Sequence, residues 1–142
     1  MSAFDFYYWA NQFANEELDG PVVQVEIGLP EALEDFCVTN NIPVPPSISG
    51  FALIDKGASA TAAHEASLLS LGLQPVDSIP MHTLFGDRRS FVYSAKVSFP
   101  GMDLKSIPLS RLVGCNLNMG TKDGKAVIML LGGDMVKYLP LS

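Results

Sequence analysis

In the stretch Phe51-Ala52-Leu53-Ile54-Asp55-Lys56-Gly57-Ala58, four apolar residues run into a single acid, with glycine two positions later. An apolar run of this length reads as a buried strand. A carboxylate at its end stands where a core meets solvent, and a charge there is costly unless it is paired, solvated or used. Gly57 lets the backbone turn and lets a ligand or second chain come close. Proton transfer is the chemistry open to such a carboxylate, and Asp55 is the first candidate for it. Lys56, beside it, is a complication.

Other residue types that could do chemistry are less well placed. His64 and His82 are 18 positions apart with no third ligand at metal spacing, so they read as solvated or hydrogen-bonded structural histidines and no metal is expected. Ser59 near His64 could pair a nucleophile with a base, but a Ser or Thr at a helix start is usually a cap. Glu31, Glu34 and Asp35 fall early in a helix, where acids favour the dipole. Gly132-Gly133 lacks the spacing of a phosphate loop. Cys37 and Cys115 are too few for a disulfide framework or a zinc site and read as small buried hydrophobes.

The elements that must position Asp55 are mostly strands. Val23, Val25, Ile27 and Leu29 alternate with Gln24, Glu26 and Gly28, a half-buried strand. Pro30 suits a first helical turn, Glu31 to Thr39 reads as a short helix, and Asn40-Asn41 ends it. Pro43, Pro45 and Pro46 stiffen the loop that leads to the Asp55 strand. Thr61 is read as the N-cap of a helix carrying Leu68 and Leu71 and terminated by Gly72. A long hairpin follows: Ile79, Met81 and Phe85 precede a turn at Gly86-Asp87, and Phe91, Tyr93, Ala95, Val97 and Phe99 share the returning face. Residues 107–117 and 126–131 supply two more strands around a turn-rich stretch from Asn116 to Lys125. At the N-terminus, Phe6, Trp9 and Phe13 in residues 1–19 have the spacing of a short helix capped by Ser2. The reading is an all-β, mostly β domain with short helices, its sheet closed or folded.

Composition bounds what the chain can do. Its 142 residues suit a single domain with a real core. With 48% hydrophobic and 17% charged residues it is globular in composition. A net charge of −6 without a Lys/Arg cluster argues against nucleic acid as a partner. No apolar run approaches the roughly 20 residues of a membrane span. The first residues, with no basic region and an early acid, read poorly as a signal peptide, so cytoplasmic residence is expected.

Two stretches resemble the retropepsin-like aspartic proteases, the single-lobe, retroviral-type family. The Asp55 stretch is similar to the family's apolar-apolar-Asp-Thr/Ser-Gly-Ala strand. Val127-Ile128-Met129-Leu130-Leu131-Gly132-Gly133-Asp134-Met135-Val136 resembles its apolar-apolar-Gly-Arg-Asp/Asn segment, a strand that leads into a short helix. Gly132 lies 77 positions after Asp55, a separation similar to that in single-lobe members, and the resemblance runs from Pro21 to Tyr138. The resemblance is to a bacterial-type member with Lys in place of the motif Thr/Ser.

The resemblance implies an acid-protease barrel, one lobe per chain, completed as a homodimer. It implies an endopeptidase without cofactor, acting on peptide or protein, in which Asp55 from each of two chains activates a water. Two such carboxylates share one proton. Asp123-Gly124, the other Asp-Gly pair, follows Gly120-Thr121-Lys122 instead of an apolar strand, so the second carboxylate must come from a second chain. Lys56, Gly57 and Ala58 would form the active-site loop. Thr83, Leu84, Phe85 and Gly86 would form the tip of a flap over bound peptide.

Two departures bear on activity. Lys56 stands where the family has a hydroxyl that bonds across the dimer, and lysine cannot accept a hydrogen bond. An ammonium reaching the carboxylates would also drive off their shared proton. Gly133 replaces the family's bracing Arg, and Ala58-Ser59-Ala60 lack the acid with which that Arg pairs in retroviral members. A second reading is therefore the same fold as an impaired or non-catalytic peptide-binding or dimerisation module.

Overall fold

A computed structural model describes residues 17–18, 22–55, 58–83, 86–117, 119–121 and 126–139. In chain order the strands are β1 (Glu17–Leu18), β2 (Val22–Gly28), β3 (Ile48–Ile54), β4 (Ala62–His64), β5 (Asp77–Thr83), β6 (Gly86–Ser98), β7 (Ile107–Cys115), β8 (Met119–Thr121) and β9 (Ala126–Leu131). The helices are α1 (Glu31–Thr39), α2 (Glu65–Ser70) and α3 (Gly133–Val136).

Strand pairing closes on itself. β9 pairs with β3, β3 with β2, β2 with β6, β6 with β7 and β7 with β4, and β4 returns to β9, so six strands form a closed barrel. β8 and β1 extend outward from the start of β9, and β5 adds to β6. Closure removes the edges of the ring wherever the strands overlap, though three-residue β4 covers only the end of β7. β3 and β9 run parallel, with Ile54 opposite Leu131. This pairing puts the ends of the two motif strands side by side.

The alternation in β2 does what its pattern predicts: Val25, Ile27 and Leu29 are buried while Gln24 is exposed. β9 reads as an unbroken apolar run because both its faces are covered. Met129 and Leu131 face the main core with Val25, Ile27, Tyr93, Val97 and Leu112. Val127 and Leu130 join a second cluster with Leu53, Ala58, Ala62, Cys115 and Leu117. Each such side chain contributes about 1.5–3 kcal/mol by leaving water. The second cluster backs the loop after Asp55, so the loop is mounted on packed apolar surface.

α1 spans the predicted residues. Its end is set by Asn40, whose Nδ2 donates to the Phe36 carbonyl at 2.8 Å, and by Asn41 at φ 57°. Lys96 on β6 reaches Glu34 at 2.7 Å and ties the helix to the barrel. Gly72, at φ 79°, ends the α2 segment as expected.

Several expectations fail. Thr61 is not the cap of α2: that helix starts at Glu65, behind the unpredicted strand β4, and His64 precedes it without a capping bond. Glu17 and Leu18, expected within a helix, form a strand paired with β8, and the rest of the aromatic segment lies outside the described residues. The Asn116–Lys125 stretch contains β8. Phe91 is 46% exposed while Tyr93, Ala95, Val97 and Phe99 are buried. The reason is that β6 leaves the barrel before Val92, so Phe91 has no core to face.

Candidate active site

Asp55 follows directly on β3. Its backbone N–H donates to the Leu131 carbonyl at 2.9 Å, so the carboxylate sits where the barrel's β3–β9 ladder ends. The residue is half-buried, and its Oδ2 is shielded from solvent. The apolar run ahead of it explains this placement: Ala52 and Leu53 are buried, and strand pairing leaves the next residue at the rim.

The loop beyond is held by bonds from both sides. The Ala58 N–H donates to the Asp55 carbonyl at 3.2 Å, and the Gly133 N–H donates to the Ala58 carbonyl at 2.6 Å. Ala58 is buried against the second cluster. Lys56 and Gly57, expected in this loop, lie outside the described residues.

A second set of bonds joins the end of the loop to α3. The Thr61 hydroxyl donates to Asp134 Oδ1 at 2.7 Å, and the Thr61 N–H donates to Asp134 Oδ2 at 3.3 Å. The same hydroxyl oxygen accepts from the Gly132 N–H at 3.1 Å. Thr61 is fully buried, so these bonds satisfy groups that would otherwise be stranded. Gly132 is required by close approach: a Cβ there would overlap the backbone of Ala60. At Gly133 a Cβ meets only the Ala58 carbonyl oxygen, at 3.4 Å, an ordinary contact.

The brace expected of an Arg at position 133 is thus supplied by backbone and by Asp134. Sequence reasoning missed this role for Thr61 and Asp134. The Gly-Gly-Asp motif carried part of the signal, but its partner lies 73 residues away in the chain.

The expected flap is a hairpin. Thr83 pairs with Gly86, and Leu84 and Phe85 between them lie outside the described residues. Gly86 and Asp87, where a turn was expected, both belong to β6. Gly86 is exposed at φ 116°, a backbone that suits glycine. Among the described strands the ladder of residues 86–91 is with β5, and the β6–β7 ladder of the barrel starts only at Val92. At its base Arg89 Nε donates to Ser78 Oγ at 2.9 Å and Arg111 meets Asp77 at 3.2 Å. The backbone N–H of Ser78 and then the Arg111 side chain hold the Asp77 carboxyl below its usual range.

Beside the hairpin root, a cavity of about 410 Å³ is walled by residues that include His64, Glu65, Leu69, Phe91 and Gly114. Asp55 lies outside that lining. The Tyr93 hydroxyl donates to Glu65 Oε2 at 2.9 Å. Burial first, then the Glu65 carboxylate, push the Tyr93 phenol to about 12. Burial and Glu65 do the same to the Cys115 thiol, also to about 12, so it is no nucleophile. His64 Nδ1 accepts from the Leu117 N–H at 3.1 Å, a structural role. Among the described residues there is no group of three or more metal-ligating side chains, and no helix is long and apolar enough to cross a membrane.

No family model and no curated protein matches the chain. Among solved structures, the solution structure of Simian Foamy Virus (mac) protease is similar, with a TM-score of 0.53 and 17% identity over 85% of this chain and all of that one. The chain therefore has a mostly β, closed-barrel fold similar to that of a retroviral protease. At this identity the likeness speaks for the fold.

Proposed function

We infer that the chain is a retropepsin-like aspartic endopeptidase, one lobe of a homodimer, in which Asp55 from each chain contributes to a shared carboxylate pair. The observation that carries this reading is the position of Asp55. It ends a buried strand, is bonded to the end of β9, and sits in a barrel similar to that of a viral protease. One carboxylate takes a proton from a water molecule while the other, protonated, donates to the peptide carbonyl oxygen. The water's oxygen adds to the carbonyl carbon. The adduct then collapses as the C–N bond breaks: the proton taken from water passes to the departing nitrogen, and a hydroxyl of the adduct returns its proton to the other carboxylate.

Ala58, braced from Gly133, belongs with Lys56 and Gly57 to the loop that aims Asp55. Thr83, Leu84, Phe85 and Gly86 would close over a bound peptide and exclude water. We read the chain as a single domain, acting in the cytoplasm without cofactor. The buried free thiols Cys37 and Cys115 support that compartment.

Lys56 favours the second reading, a catalytically silent peptide-binding or dimerisation module, because it replaces the hydroxyl that would bridge two chains. The test is cleavage of a broad peptide library between about pH 4 and 6, where a carboxylate pair can hold one proton. Unmodified chain, Lys56→Thr and Lys56→Thr/Asp55→Asn are compared. The enzyme reading expects higher cleavage in Lys56→Thr and none once Asp55 is an amide. A dimeric Lys56→Thr that cleaves nothing leaves the module.

A further inference from the structure

β7 has nine residues and β4, beside it, has three. β4 covers β7 from Val113 to Cys115, and the Val113 N–H donates to the Thr61 carbonyl at 3.1 Å. From Ile107 to Leu112 the same edge has no strand against it among the described residues. α3 stands opposite instead. Between the two lies a groove of about 660 Å³, with residues 104–111 as one wall and Asp134, Met135 and Tyr138 as the other.

Edges left open in natural proteins are normally blunted, and this one carries two such devices. Pro108 has no donor. Three steps of β7 from Leu109 to Leu112 oppose two of β6 from Tyr93 to Ala95, so a bulge falls at Ser110 and Arg111. Both devices shorten the usable ladder and leave the wall opposite intact. A bare edge invites indiscriminate pairing, whereas an edge facing a helix forms a slot that selects by side chain as well as by backbone. Tyr138 is 52% exposed in that slot although its neighbours Met135 and Leu139 are buried. An exposed ring beside unpaired backbone is the arrangement that strand-adding peptides use, with main-chain bonds for affinity and alternate side chains for choice.

We propose that this groove docks an extended peptide segment of another protein, added as a strand along β7 between Ile107 and Leu112. The segment is apolar at alternate positions, which meet Ile107 and Tyr138, and carries an acid at one end. The acid is argued from charge. The chain has 15 acids and nine Lys or Arg, and two of those cations line the groove: Arg111, which is engaged by Asp77, and exposed Lys105. Asp134, the acid on the opposite wall, is held by Thr61. This site is separate from the peptidase reading and stands whether or not Asp55 is catalytic.

The experiment is a selection of random ten-residue displayed peptides on the full chain carrying Asp55→Asn, followed by hydrogen exchange of the chain with the best synthetic peptide. Enriched peptides should alternate apolar residues and carry Asp or Glu near one end. Those amides between Ile107 and Leu112 that point away from β6, Pro108 having none, should slow about tenfold or more on binding, as strand addition requires. N-methylation at alternate peptide positions should remove binding in one of the two registers. Lys105→Glu, at an exposed position, should weaken binding about tenfold without changing the chain's melting temperature. Binding that ignores N-methylation, or protection confined to residues 52–58, would overturn the proposal. So would slow exchange, before any peptide is added, of the 107–112 amides that point away from β6, which would assign the edge to another part of the molecule or to a second copy.

Discussion

Thr61 and Asp134 show how one buried hydroxyl can hold a reactive loop in place. The Asp134 carboxylate accepts both the hydroxyl and the backbone N–H of Thr61, and the Gly132 N–H completes the hydroxyl's bonding. Asp134→Ala strands a fully buried hydroxyl and an N–H, and should cost about 2–4 kcal/mol in urea unfolding. Asp134→Asn keeps an acceptor and should cost clearly less. Gly132→Ala forces a Cβ into the Ala60 backbone and should also cost about 2–4 kcal/mol, since backbone cannot swing aside as a side chain can. Only the Gly-Gly-Asp half of this was legible locally. Thr61 precedes a helical pattern and so reads as a cap, whereas its partner is set by barrel closure. Asp55 was legible, because an apolar run into an acid is a local pattern. Tyr93 supplies a pH test away from the loop. Its phenol, shifted from 10.0 to about 12, holds its proton more tightly folded than unfolded. Its stabilisation is therefore full below about pH 10 and is lost as pH rises toward 12. Ultraviolet titration should show one tyrosine lagging the rest, and Tyr93→Phe should abolish the lag.

At the scale of elements, the hairpin β5–β6 is where we expect opening first, because among the described strands the ladder of its outer half runs only between β5 and β6. Its base is pinned by exposed contacts, Arg89 to Ser78 and Arg111 to Asp77. Contacts this exposed are individually weak, because water competes for them. Arg89→Ala should therefore speed amide exchange in residues 78–91 by about 2–5-fold, with β2, β3 and β9 unchanged. Uniform acceleration across the barrel would show that Arg89 supports the whole fold instead. β2, α1, β9 and the long hairpin were readable because each repeats its pattern over six or more residues. β1, β4 and β8, of two or three residues, are too short to show a period and are defined by the neighbours they pair with. The bulge in β7 and the exit of β6 from the barrel at Phe91 likewise depend on register.

For the whole molecule, closure through β4 and β9 gives a rigid frame with Asp55 at one rim and only one motif carboxylate per chain. The peptidase account therefore requires two chains in one active unit, each giving Asp55. The most direct test mixes Lys56→Thr chains with Lys56→Thr/Asp55→Asn chains at fixed total concentration, lets subunits exchange, and measures peptide cleavage. If both Asp55 side chains are needed, activity falls as the square of the fraction of chains that keep Asp55, to about a quarter in an equal mixture. A linear fall to about half would mean that each Asp55 acts independently, and a fall only to about three quarters would mean that one Asp55 suffices in each dimer; either would contradict the shared pair.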